Sequence, residues 1–428
     1  MFSAGYKKRM NDFSSKIRGA IPVVSWSLYD LANQFFGLNI ISLYFVRWLT
    51  FDKSCPEFYY SIAFGVSTLL VALVSPLLGT IADEMARSRE FLSVLTFLSI
   101  LFTMLLGFTS HVPTALIFFG IANFGCQTAV VFYNSLLKQV ASPRRVGLVS
   151  GLGRMFAYIG TIIALLIAKP IVLQHGYQAV FFPTGVLFLV FALPCMIFVK
   201  EPVGHAATAD IHAFLKRGVL RRHLKKLSTI VFSEESFPEL SRFLKATFFC
   251  LCSVNVVVLF MAVYATRVFG LNEGELINLM SVSTIFAVGG SFLSGIISDR
   301  FGDMRVLRVV FFMWIVCFSV GAFAASPFLY WIIGGFVGLT MGATWVVLRA
   351  VTVRLAPEGE LGEIFGLFNF LAYFSAVVGA FFWGALTLVL RRFGTNGYRA
   401  GLFSLIIFLL IGFFYLMKIP CREPVRHE

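Results

Sequence analysis

"GTIADEMARSR" at 79–89 and "GIISDRFGDMR" at 295–305 are two versions of one design: a glycine, an aspartate four residues later and an arginine six beyond that. Each follows an apolar run of helical length, so each marks where a membrane-crossing helix ends and the chain turns back. The glycines, Gly79 and Gly295, permit close helix packing. The aspartates, Asp83 and Asp299, stand at helix ends, and Arg87, Arg300 and Arg305 are held in the cytosol by their charge. A carboxylate so placed can face the positive N-terminal end of another helix and act as a latch that opening must break. Two copies in one chain, both after an even-numbered apolar run, argue for two like-oriented halves related by an axis along the membrane normal.

The rest of the chain agrees. Of its 428 residues 58% are hydrophobic and only 13% charged, and the mean hydropathy is +0.86, which is the composition of an integral membrane protein. Twelve apolar runs are readable, near 22–48, 58–81, 90–110, 112–137, 147–169, 178–199, 242–267, 276–297, 306–325, 328–352, 363–389 and 398–417. The expected fold is an all-α membrane protein of twelve transmembrane helices in two parallel-repeat six-helix halves. The division is a cytoplasmic amphipathic segment at 1–20, halves at 21–199 and 242–417, a cytoplasmic linker with an amphipathic helix at 200–241, and a tail at 418–428. Lys and Arg collect at the N-terminus, at Arg87 and Arg89, Arg144 and Arg145, Arg300, Arg305 and Arg308, in the linker and in the tail. That bias puts both termini in the cytoplasm of a cell with this protein in its cytoplasmic (inner) membrane. Arg391, Arg392 and Arg399, between the last two runs, are the exception, and the charge rule has no account of them.

The net charge of +14 is spread over many helix ends, so it reports topology and contact with anionic lipid on the cytoplasmic face; nucleic acid is not an expected partner. Phe2, Tyr6, Met10, Phe13 and Ile17 recur at helical spacing among lysines, and 210–232 pairs an apolar face with a basic one, as interfacial helices do. "SFPE" at 236–239 has the form of a capping box that would start the seventh helix. The seven cysteines make no disulfide framework, no Cys/His cluster has metal-ligand spacing, and no Gly-rich Lys-Ser/Thr phosphate loop occurs, so no metal or cofactor is expected. No intramembrane Ser-Lys, His-Glu or paired-Asp set is present either, which speaks against an enzyme.

Asp30, within "SWSLYDLANQFF" at 25–36, is the acidic residue that lies well inside an apolar run. A charge near the bilayer centre costs at least about 2.5 kcal/mol, so this group must face a polar cavity, find a partner or stay protonated. It is either a carboxylate that fixes helix packing or a site for substrate or a proton. The intramembrane cations are Arg154 and Arg349, and the main amides are Asn33, Gln127, Asn134, Asn255 and Asn369. For Arg349 the competing reading is snorkelling to the cytosol, and for each amide it is helix-to-helix hydrogen bonding. Gly334, Gly335, Gly338 and Gly342 give the tenth run small-xxx-small spacing, read first as packing and alternatively as a sliding contact.

The paired loops resemble the signature Gly-x-x-x-Asp-Arg/Lys-x-Gly-Arg-Arg/Lys of the major facilitator superfamily. The second copy keeps Asp299, Arg300 and Gly302, whereas the first has Glu84 and Ala86 where the signature has a basic residue and glycine. Within that superfamily the first run, "FYNSLL" at 132–137 with "VSGLGRMFAYIG" at 149–160, "MAVYATRVFGL" at 261–271 and "LAPEGELGEIFGLFNFLAYFSAVVG" at 355–379 together resemble the vacuole-effluxer-like family, whose fungal members release amino acids from the vacuole during autophagy. The seventh run departs from the family: Ser253, Val254 and Asn255 stand where an Asn-Asp pair belongs, so a second intramembrane carboxylate is missing. The resemblance implies a monomeric secondary transporter with helices one, four, seven and ten lining a cavity, which makes Asp30, Asn33, Gln127, Asn134, Asn255 and Arg349 candidates, with Arg154 and Asn369 beside them. Amino acids or short peptides, with coupled protons, are the implied cargo. A lipid- or sugar-like solute, and a non-transporting receptor or scaffold of the same fold, are the alternatives.

Overall fold

A computed structural model describes residues 20–85, 87–201, 237–324 and 326–421. The two interfacial segments read from the sequence, within 1–20 and 210–232, lie outside the described residues apart from position 20. The chain is helical from 20 to 52 (α1), with π-helical turns at Gly37–Leu43 and Trp48–Asp52. There follow α2 (Glu57–Met85), α3 (Ser88–Leu106), α4 (Val112–Ser135), α5 (Val146–His175) and α6 (Phe181–Phe198). After the linker come α7 (Pro238–Phe269), α8 (Glu273–Phe301), α9 (Asp303–Phe323), α10 (Pro327–Leu355), α11 (Leu361–Val389) and α12, formed by Gly394–Ser404 and Ile406–Met417. Among the described residues eleven helical spans are long and apolar enough to cross a membrane, and α1, broken by its π-turns, precedes them. Leu73, Phe312, Phe323, Phe328 and Phe381 are exposed, as side chains facing lipid must be.

Helix ends follow local chemistry. The capping box of this fold heads α8: the Asn272 side chain accepts from the Glu275 N–H and the Asn272 N–H donates to the Glu275 carboxylate, each at 2.9 Å. The capping box read at 236–239 rests on Ser236, which lies outside the described residues; the residue preceding α7 is Phe237. Gly270 ends α7 at φ +68° and Gly302 joins α8 to α9 at φ +93°, left-handed backbone that favours glycine.

By packing among the described residues, one compact unit falls within Met1–Thr68, Ala86–Pro143 and Phe156–His205, and a second within Leu69–Met85, Arg144–Met155 and Ala206–Glu428. The first unit is held by aromatic stacking on α1. Trp26 donates through Nε1 to the Tyr133 carbonyl at 2.9 Å, its ring lies 4.4 Å from that of Tyr133, and Phe45 stacks on Phe119 at 4.7 Å. At the base of this unit the Glu201 carboxylate accepts from the Ser88 and Arg89 N–H groups, both at 3.0 Å, and so caps the orphan donors of α3.

The second unit is held by glycine contacts. On α10 a Cβ at Gly334, Gly338 or Gly342 would fall 2.5 Å from Leu279 Cδ1, 1.9 Å from the Ser283 carbonyl oxygen or 2.3 Å from that of Ala287, so a stripe of glycines seats α10 directly on α8. Arg399 donates to the Ala322 carbonyl at 3.0 Å and lies over the Phe269 ring. That accounts for one of the arginines the charge rule left over: it satisfies a carbonyl at the C-terminal end of α9, where a cation is favoured.

Candidate functional site

The two sequence repeats become two copies of one contact, both inside the second unit. The Asp83 carboxylate, at the end of α2, accepts from the Gly362 N–H at 2.9 Å and the Glu363 N–H at 2.8 Å, in the first turn of α11. The Asp299 carboxylate, at the end of α8, accepts from the Gly147 N–H at 2.8 Å and the Leu148 N–H at 2.7 Å, in the first turn of α5. Each carboxylate thus takes two donors that no intrahelical acceptor can reach and lies in the favourable field of a helix N-terminus.

The helices behind each aspartate touch at backbone distance. A Cβ at Gly79 would fall 2.2 Å from the Gly362 carbonyl oxygen, and one at Gly366 2.5 Å from that of Ser75; at the other copy, Gly295 meets Gly147 at 2.4 Å and Gly151 meets Ser291 at 2.6 Å. A Ser-x3-Gly-x3-Asp face, 75–83 or 291–299, therefore lies antiparallel on a Gly-x3-Gly face, 362–366 or 147–151. The sequence carried this signal beyond the loops. "GLVSGLGRMFAY" at 147–158 and "GEIFGLFNFLAY" at 362–373 repeat Gly, Gly-Leu and Ala-Tyr in register, which makes Arg154 and Asn369 equivalent positions, seven residues inside their latch glycines.

The copies differ in their surroundings. Arg354, near the end of α10, places its guanidinium 3.3 Å from Asp299 and also pairs with Asp303, whose carboxylate takes the Ser298 hydroxyl. At the first copy the neighbour is acidic: Glu363, whose N–H is one of the donors to Asp83, is itself buried. The arginines singled out from the loop signature stand elsewhere. Arg300 and Arg305 are exposed, the former with its guanidinium over the Phe301 ring, and Arg87 pairs with Glu90 at 3.8 Å.

Asp30 is buried in the first unit, 4% exposed. Trp26 bonds to Tyr133 and Asn33 accepts from Cys126 Sγ at 3.8 Å, so α1 and α4 run antiparallel, with Asp30 between these two rungs along α1. Tyr29 stacks on Tyr133 at 4.9 Å and shares a 2.6 Å hydrogen bond with Thr96. Asn134 is buried and its Oδ1 has no hydrogen-bond partner among the described residues, while Gln127 is half-buried on the same helix. Nine residues beyond Asp30, in the π-helical segment, Asn39 is buried and donates to Thr184 at 2.9 Å; π-turns within helices are frequent at functional sites.

In the second unit, Arg349 is 8% exposed and lies six residues inside the end of α10, about 9 Å along the axis. Arg154 of α5 places its guanidinium over the Trp345 ring at 5.5 Å, and one turn earlier the Ser150 hydroxyl donates to the Val346 carbonyl at 3.1 Å. Asn255 donates to Ser375 at 3.2 Å, joining α7 to α11, and Asn369 is buried with an amide Nδ2 that has no acceptor among the described residues. Asp30, Asn33, Gln127 and Asn134 thus share one helix pair, Arg154 and Arg349 another, and Asn255 and Asn369 a third.

The profile of the Major Facilitator Superfamily matches residues 31–380 and 243–428. An uncharacterised protein of Aquifex aeolicus is 25% identical over 402 residues, covering 94% of this chain and 97% of its own. The uncharacterised MFS-type transporter YxiO of Bacillus subtilis is 24% identical over 425 residues, 92% of this chain and 94% of that one. Among solved structures, that of the Escherichia coli fucose:proton symporter FucP superposes with a TM-score of 0.72 over 95% of this chain and 99% of the other at 13% identity, a likeness of fold. With the profile spanning most of a multi-pass helical chain, the protein belongs to the major facilitator superfamily of secondary transporters.

Proposed function

We propose that this transporter moves a small zwitterionic solute, with amino acids and short peptides as the first class, by alternating access of the halves 21–199 and 242–417 joined by the linker 200–241. The observation that carries the reading is the pair of carboxylate-on-helix contacts, Asp83 on α11 and Asp299 on α5. Each joins a helix of the first half to one of the second through two hydrogen bonds and bare glycine backbone, a contact that closes tightly and can separate without leaving a cavity in either partner. Gly79, Asp83, Gly295 and Asp299 form the latches, with Arg87, Arg300 and Arg305 as cytoplasmic charges around them. They act on the cytoplasmic side of an inner membrane, with both termini in the cytoplasm.

Candidates for the solute and proton groups are Asp30, Asn33, Gln127 and Asn134 in the first unit and Arg154, Asn255, Arg349 and Asn369 in the second. The buried carboxylate of Asp30 suits the ammonium of a zwitterion, Arg154 and Arg349 suit its carboxylate, and buried amides supply neutral hydrogen bonds. Proton coupling through Asp30 is supported by its burial and by the named activity of FucP, a fucose:proton symporter. The amino-acid class is supported by the resemblance to vacuole-effluxer-like proteins. Purified protein in liposomes, given a pH gradient and a panel of labelled amino acids, dipeptides, sugars and lysolipids, tests this: saturable uptake of an amino acid or dipeptide is expected. Uptake confined to sugars or lipids would replace the cargo, and no uptake at all would favour a scaffold.

A further inference from the structure

On α10, Trp345 and Arg349 are four residues apart and so share a face one turn apart. Arg154, from α5, lies over that Trp345 ring at 5.5 Å, and the two helices are joined at the same level by the Ser150 to Val346 hydrogen bond of 3.1 Å. Arg154 thus lies on the face of this indole, and Arg349 stands one helical turn along α10 from the residue that carries it. Both residues lie in the second unit, and Arg349 is 8% exposed. The internal repeat sharpens the point: the position equivalent to Arg154 is Asn369, so the guanidinium is not a requirement of the Gly-x3-Gly packing that both helices share.

We propose that Arg154 and Arg349, with Trp345 between them, form the anion subsite of the transport site, so that the solute carries a carboxylate, and that Arg154 rests on Trp345 when no solute is bound. This deepens the transporter reading above and rests on it. A cation on an aromatic face gains a modest attraction, enough to hold an arginine in place. A bidentate carboxylate makes the stronger, charge-assisted pair. Solute binding then moves Arg154 from the ring to the carboxylate, and Trp345 senses the change. Trp345 acts as a positioning residue, and Arg154 and Arg349 as the groups that touch the solute.

The test uses the full chain labelled with 5-fluorotryptophan, in nanodiscs. The fluorine resonance of Trp345 is assigned by its loss in Trp345→Phe, and three probes of one shape are titrated: L-leucine, 4-methylpentanoate, which has only the carboxylate, and L-leucinamide, which lacks it. Leucine and 4-methylpentanoate are expected to shift the Trp345 resonance, and leucinamide to leave it in place. Arg154→Gln should weaken the carboxylate probes at least tenfold, with Arg154→Lys between it and wild type. A shift by 4-methylpentanoate with none by leucine would remove the amino-acid reading and leave the anion subsite standing. A resonance that moves with leucinamide as much as with leucine, or with no carboxylate probe, or carboxylate affinities unchanged in Arg154→Gln, overturns the subsite.

Discussion

Replacing Asp299 by Asn removes the charge from a carboxylate that takes the Gly147 and Leu148 N–H groups at 2.8 and 2.7 Å. The amide keeps one oxygen for one of these donors and turns an N–H₂ toward the other. The closed state loses about one charge-assisted hydrogen bond, roughly 1.5–3 kcal/mol, and about 0.5–1 kcal/mol of interaction with the helix N-terminus. The same sum of roughly 2–4 kcal/mol holds for Asp83→Asn on α11. What separates them is Arg354, 3.3 Å from Asp299; as its side chain is 32% exposed, screening leaves that link about 0.5–1 kcal/mol. If the open state is rare, either substitution raises its population by one to three orders of magnitude, with Asp299→Asn ahead by a factor of roughly two to five. The assay is maleimide labelling of a cysteine placed at Ser75 or Ser291, each buried two turns inside its aspartate, followed by mass spectrometry of that site. Faster labelling of both reporters in Asp83→Asn than in Asp299→Asn, or unchanged rates in both variants, would refute the reasoning.

Gly338→Ala puts a methyl 1.9 Å from the Ser283 carbonyl oxygen between two helices of one half, so it should lower thermal stability by about 1–3 kcal/mol, read as a fall in Tm, without favouring the open state. Gly79→Ala, 2.2 Å from the Gly362 carbonyl oxygen, should instead favour opening, seen as faster Ser75→Cys labelling at nearly unchanged Tm. Asp30→Asn mimics the protonated carboxyl and should abolish accumulation driven by a pH gradient while solute exchange persists; wild-type affinity, exchange and pH dependence in a folded variant would make Asp30 structural. Glu201→Ala leaves the Ser88 and Arg89 N–H groups of α3 uncapped and should cost about 1–2 kcal/mol, measured by hydrogen exchange at the start of α3 in the intact protein.

How far this protein can be read without coordinates depends on the range of the interaction concerned. The membrane spans were legible because the cost of exposing backbone to lipid forces a continuous apolar run of helical length, a property of consecutive residues. So was the pairing of Asp83 with Asp299, since a duplicated design repeats itself in the chain. The partner of each aspartate was not. Every helix offers the same unsatisfied N–H groups at its start, and only packing selects α11 for Asp83 and α5 for Asp299, through glycines at 362, 366, 147 and 151 whose spacing is a property of the chain but whose counterparts are set by the fold. Arg354 was hidden for the same reason: among many basic residues at helix ends, proximity to Asp299 and Asp303 comes from the seating of α10 on α8. Composition marked Asp30 as out of place in an apolar run. That it lies between the Trp26–Tyr133 and Asn33–Cys126 rungs, and that Arg154 rests on Trp345, was decided by tertiary structure, because side chains far apart in the chain meet only when whole helices have been brought into register.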